Sequence, residues 1–120
     1  LGTRQKKSPS FPWKKTRKIE PAVDYISVHF NENIPIPYLA DLCKISQTYL
    51  KQLFQKSYGL SPKAFIIQKR IEYACDLLAT NLYDISSVAQ ATGYNDVYYF
   101  SYQFKKITGI SPSRYKKQRK

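Results

Sequence analysis

Leu50-Lys51-Gln52-Leu53-Phe54-Gln55-Lys56-Ser57-Tyr58-Gly59-Leu60-Ser61-Pro62 is the stretch that decides the fold, because its plan recurs fifty residues later. Leu50, Leu53 and Phe54 fall at helical spacing, so one side of this segment is apolar. Gly59 suits the left-handed backbone that closes a helix. Ser61 is placed to cap the next helix, and Pro62 fits its first turn, where the missing N–H had no partner anyway. Downstream, Phe100, Phe104, Lys106, Gly109, Ser111, Pro112 and Tyr115 repeat Leu50, Phe54, Lys56, Gly59, Ser61, Pro62 and Phe65. Upstream, Leu39-Ala40 matches Val88-Ala89 at an offset of 49, so the second turn is expected to be one residue longer. Each copy reads as a short helix, a tight turn and a longer helix, the arrangement that lays a second helix into a DNA groove.

The remaining elements follow outward from the two copies. Ile19, Val23, Ile26 and Phe30 form the stripe of a helix beginning near Lys18, stopped by Asn31-Glu32-Asn33 and the Pro35/Pro37 pair. A second helix turns Leu39, Ala40, Leu42 and Cys43 inward, and Ser46 caps a third, about Gln47 to Ser57. The fourth is long, from Pro62 to about Leu78, with Phe65, Ile67, Ile71, Ala74, Cys75 and Leu78 at helical spacing. Asn81 and Asp84 mark a break. A fifth helix carries Ile85, Val88 and Ala89 and stops near Gly93. The sixth runs from about Asp96 to Thr108, capped by Asn95 or Asp96, with Phe100, Phe104 and Ile107 buried. The seventh starts at Pro112 and runs through Tyr115. No strand pattern of useful length occurs. The expected fold is all-α: seven helices forming two helix-turn-helix subdomains, about 37–57 and 85–108, joined by a linker helix over about 62–79. That linker would be roughly 26 Å long at ~1.5 Å per residue. Two recognition helices carried on it would suit successive major grooves, about 34 Å apart on one face of a duplex.

Composition narrows the function. The 120 residues carry a net charge of +12. Residues 1–18 hold seven basic side chains and no acid, and residues 19–120 hold 13 basic and 8 acidic ones, a net +5. A basic surface attracts polyanions, which suits nucleic acid or an anionic membrane. No segment approaches the ~18 apolar residues that span a bilayer, and the basic start lacks the apolar run of a signal peptide. Residues 1–17 read as a basic linker or disordered arm, and 18–120 as the DNA-binding domain. There is no methionine, so the chain is expected to be a piece of a longer protein with a partner domain upstream. Cys43 and Cys75 sit in apolar helical patterns without Cys-x-x-Cys spacing, which suggests buried thiols in a reducing cytoplasm. The single histidine, His29, has no nucleophile or carboxylate pair at working spacing, and the scattered acids suggest no metal site. Neither catalysis nor a cofactor is expected.

Candidate reading faces lie on the third and sixth helices. Thr48, Lys51, Gln52 and Gln55 line the polar side of the third, without an acid among them, and lysine and glutamine can pair with guanine and adenine edges. The sixth presents Tyr98, Ser101, Tyr102 and Lys105, able to donate to phosphates, touch thymine methyls or bond to bases, or to pack on a missing domain. Lys56, Lys105 and Lys106, closing the two recognition helices, are candidate phosphate contacts. Arg70 could be another, or could instead pair with a nearby acid.

Taken as an ordered set, these motifs resemble the AraC/XylS family of bacterial transcription regulators over about residues 18–117. The resemblance is strongest in Arg70-Ile71-Glu72-Tyr73-Ala74-Cys75-Asp76-Leu77-Leu78, in Ile85-Ser86-Ser87-Val88-Ala89-Gln90-Ala91-Thr92-Gly93-Tyr94, and in Tyr99-Phe100-Ser101 through Phe104 to Pro112. It implies a seven-helix C-terminal DNA-binding domain, an upstream regulatory domain that often dimerises or senses a small molecule, a cytoplasmic location on the nucleoid, and RNA polymerase as a candidate contact. By position it places base contacts on Gln47, Thr48, Lys51 and Gln52 in the first unit, and on Val97, Tyr98, Ser101 and Tyr102 in the second. The family commonly has arginine where this chain has Tyr102. Tyrosine cannot grip guanine bidentately, so the first unit is expected to supply most base specificity and the second mainly positioning and phosphate contacts. The alternative is a basic helical module for RNA or an acidic protein partner, but no stacking sheet or RNA-binding loop motif is visible. Nor does any segment pair a basic face with a large exposed apolar one, as a membrane-surface helix would.

Overall fold

The computed structural model describes residues 17–118. The basic arm expected over 1–17 therefore lies outside the described residues, apart from Arg17. Seven helices appear among the described residues, without a strand: α1 (Glu20–His29), α2 (Ile36–Cys43), α3 (Gln47–Tyr58), α4 (Pro62–Ala79), α5 (Ile85–Ala91), α6 (Val97–Thr108) and α7 (Pro112–Gln118). Arg17 and Lys18 are also helical, set off from α1 by Ile19. The expected all-α order is present, with α7 running past Tyr115. The chain packs as two units. Among the described residues, one holds those through His29 together with Ile34–Phe65, and the other holds Phe30–Asn33 together with those from Ile66 to Gln118.

The first unit is built on α1, α2 and α3. Ile19, Ala22 and Ile26, then Leu39, Ala40 and Cys43, then Leu50, Leu53 and Phe54 are buried, while Leu42 is only half-buried. Burying a side chain such as Leu50 or Phe54 contributes about 1.5–3 kcal/mol. The core of the second unit joins Ile71, Ala74 and Leu78 of α4 to Val88 and Ala89 of α5, Tyr94, and Phe100 and Phe104 of α6. Ile107 is a correction to the expected core: it is 45% exposed. The chain turns back at Gly109, and Tyr115 of α7, not Ile107, closes over Phe104 with ring centroids 5.6 Å apart. The matching position in the first unit holds the polar Ser57, so the site does not require an apolar group.

The sequence repeat is also a repeat of contacts. In the first unit Ser61 Oγ accepts from Ala64 N at 3.1 Å, and in the second Ser111 Oγ accepts from Arg114 N at 3.2 Å. Pro62 and Pro112 are both buried. Phe65 meets Phe54 edge-on at 5.4 Å, as Tyr115 meets Phe104 at 5.6 Å. The long helices are capped alike, with Ser46 Oγ accepting from Tyr49 N at 3.1 Å and Asp96 Oδ1 from Tyr98 N at 2.9 Å. The turns also match. Lys44 N and Ile45 N donate to Asp41 O and Ala40 O, just as Gly93 N and Tyr94 N donate to Gln90 O and Ala89 O. Lys44 (φ 57) and Gly93 (φ 99) share the left-handed position. The register holds through Tyr94, and the cap is Asp96, so the extra residue is Asn95.

One packing feature of the second unit comes from outside its contiguous sequence. Arg70 of α4 donates from Nε to Phe30 O at 2.6 Å and from an Nη to Glu32 O at 2.8 Å. Its guanidinium lies over the Tyr94 ring, 5.3 Å from the centroid, and Phe30 meets Tyr73 edge-on at 5.4 Å. Burial raises the Tyr94 hydroxyl pKa, partly offset by Arg70.

Asp84 caps α5, its Oδ1 accepting from Ser87 N at 2.8 Å. That bond, helped by the nearby Lys116 charge, holds its pKa below the usual 3.8. A depressed folded pKa stabilises the fold above the unfolded pKa, and this is lost as pH falls through the folded value. Asp84→Asn keeps a capping oxygen without the charge. The wild-type advantage in melting temperature over this variant should therefore shrink as pH falls below the ordinary aspartate value of about 3.9, whereas a constant difference would show that the charge contributes nothing.

Candidate nucleic-acid interface

On α3, Gln47, Thr48, Lys51 and Gln52 are all exposed, while Leu50, Leu53 and Phe54 anchor the opposite side. The helical repeat sets the exposed four on one stripe, which Gln55 and Lys56 extend toward the C-terminus. α3 carries no acid. A lysine ammonium can donate to guanine O6 and N7, a glutamine amide can donate and accept at adenine N7 and N6, and threonine can serve either base.

On α6, Tyr98 is 83% and Tyr102 60% exposed, Lys105 and Lys106 are exposed, and Ser101 is half-exposed. Val97 is only partly available, because it packs against the core of the second unit. The Lys106 ammonium lies over the Tyr102 ring at 5.8 Å, a cation–π contact that keeps both side chains together. Tyr99 stacks with Tyr102 at 6.4 Å. Sequence reading missed the network behind this face: Tyr94 Oη donates to Gln103 Oε1 at 2.5 Å, and Gln103 Nε2 donates to Tyr99 Oη at 2.9 Å. The available signal was Tyr94 standing, at the offset of 49, where the first copy has Ile45.

Arg70 holds two backbone carbonyls of the 30–33 segment through Nε and one Nη, a structural partnership its sequence position does not announce. His29 stacks on Tyr25 at 4.2 Å. Cys43 is buried and its thiol pKa raised by burial, Cys75 is only half-buried, and neither forms a disulfide. Among the described residues no group of His, Cys, Asp and Glu could hold a metal ion, and no helix is long and apolar enough to cross a membrane.

Two matching helix-turn-helix units, each with a capped long helix that exposes a polar or aromatic, acid-free face, define a DNA-binding domain. The family described as "Helix-turn-helix domain" matches residues 39–118. The MmsAB operon regulatory protein of Pseudomonas aeruginosa is 34% identical over 94 residues, 78% of this chain and 31% of that protein. The C-terminal domain of AraT, a response regulator from Geobacillus stearothermophilus, superposes with a TM-score of 0.78 at 29% identity, covering 84% of each chain. A transcriptional regulator with an AraC-type DNA-binding domain from Chromobacterium violaceum shares the fold, with a TM-score of 0.81 at 22% identity over 89% of this chain and 96% of that one. The chain belongs to the AraC/XylS family of transcription regulators. It spans about a third of the length of the curated relatives it matches.

Proposed function

We propose that this chain reads duplex DNA by sequence, with the α3 face of Gln47, Thr48, Lys51 and Gln52 supplying most of the base discrimination. The observation that carries this reading is the acid-free face of α3, exposed on a capped helix whose other side is locked in the core. Tyr98, Ser101 and Tyr102, with Val97 in a smaller part, form the second reading surface, and Lys56, Lys105 and Lys106 meet phosphates. Each charge neutralised on the backbone releases counterions, so affinity falls as salt rises. Residues 1–17 act as a basic arm that adds affinity without sequence choice, and 18–120 act as the DNA-binding domain. In the whole regulator an upstream domain senses or dimerises, and RNA polymerase is the further partner, in the cytoplasm where the DNA lies.

Selection from a pool of random duplexes tests this. Two short enriched blocks about one helical turn apart are expected, with the block read by α3 the sharper. Binding without enrichment would reduce the interface to a basic surface.

A further inference from the structure

Toward its N-terminus the second reading helix lacks side chains that grip a purine bidentately. α6 has no arginine, asparagine or histidine. Its one side-chain amide, the half-buried Gln103, is already engaged by protein partners, with Oε1 accepting from Tyr94 and Nε2 donating to Tyr99. Bidentate reading of adenine needs both of those atoms. Lys105 and Lys106 lie in the last turn, and Lys106 already faces the Tyr102 ring, whereas a recognition helix addresses bases chiefly from its N-terminal residues. At that end stands Tyr98, the most exposed aromatic side chain of the described residues. No charged side chain of α6 precedes Lys105.

An aromatic ring brought against a major-groove floor has one apolar partner there, the C5 methyl group of thymine. We infer that Tyr98 makes α6 a reader of thymine methyl groups, with Tyr102 beside it on the reading surface and Lys106, held over the Tyr102 ring, on the phosphate side. This rests on the proposed placement of α6 in the groove. It narrows the second unit's part from general positioning to one base feature. Serine and tyrosine hydroxyls can still bond to base edges, but they tolerate several bases, so the methyl group carries the choice.

The test uses the 120-residue chain and its selected duplexes, with thymines replaced one at a time by deoxyuridine. That change deletes the methyl and leaves every base-pairing edge intact. The block read by α6 is the one whose enrichment survives a Lys51→Ala, Gln52→Ala double variant. Within it, at least one thymine should lose about fourfold in affinity on replacement, the size of one buried methylene-sized group. The loss should persist in Tyr98→Phe and vanish in Tyr98→Ala. Tyr98 is exposed, so neither variant disturbs the core. Indifference to uracil throughout this block, a block without thymine, or an equal uracil penalty in Tyr98→Ala would each overturn the inference while leaving DNA reading intact. A chain that selects no duplex at all would overturn the DNA-reading proposal, and this inference with it.

Discussion

Replacing Gly93 by alanine is expected to destabilise the second unit by about 3 kcal/mol, near the upper end of single-residue effects. Part of the cost is conformational, because Gly93 has φ +99, where a side chain costs about 1–2 kcal/mol. The rest is contact. A Cβ there would lie 2.7 Å from Asn31 O and 3.0 Å from Asn31 C and Cα. That backbone cannot readily give way, because Arg70 holds the carbonyls on either side of it, those of Phe30 and Glu32. Gly109 supplies the control. Its φ is +90, yet a Cβ built on it meets nothing within 4 Å. Gly109→Ala should therefore show the conformational part alone, about 1–2 kcal/mol. Chemical denaturation followed by circular dichroism would compare the two, and equal losses would mean that the 30–33 segment yields freely. Lys44 takes the equivalent position in the first unit at φ 57, within the left-handed region open to other residues, so the wider φ and the close approach of Asn31 together favour glycine at 93.

The second large effect falls on binding. Lys51→Ala and Gln52→Ala should each weaken binding to the selected duplex by about 1–3 kcal/mol, and each should relax base choice at the position it reads. Both side chains are exposed, and the buried side of α3 is untouched, so melting temperature should stay within the small range of surface changes. The two variants should differ on a shuffled duplex. Lys51→Ala removes a cation and should lower non-specific affinity and the salt slope slightly, whereas Gln52→Ala should leave both unchanged. Equal losses on selected and shuffled duplexes would reassign these residues to the phosphate backbone.

Most of the fold was legible because its signals are local. The glycine, serine and proline of each landmark act through their own backbone, and the apolar spacing of Leu50 with Phe54 and of Phe100 with Phe104 marks a buried side without reference to anything distant. The α3 face was legible for the same reason. Ile107 was misread because helical spacing says which side a residue occupies, not how far along the helix the covering partner extends. Arg70 and Gln103 were opaque in another way. Both have side chains that suit nucleic acid, and nothing local in the sequence says that Arg70 also holds the carbonyls of Phe30 and Glu32, or that Gln103 bonds to the Tyr94 hydroxyl. The 30–33 segment likewise reads as the stop of α1, although it packs in the second unit.

The most direct test is the affinity of the 120-residue chain for its selected duplex against a shuffled duplex of equal length, titrated across rising salt. Sequence reading by α3 and α6 requires a preference of about a thousandfold near physiological salt, kept while both affinities weaken. Equal affinities that disappear together as salt rises would contradict it, leaving a basic surface that holds DNA without reading it.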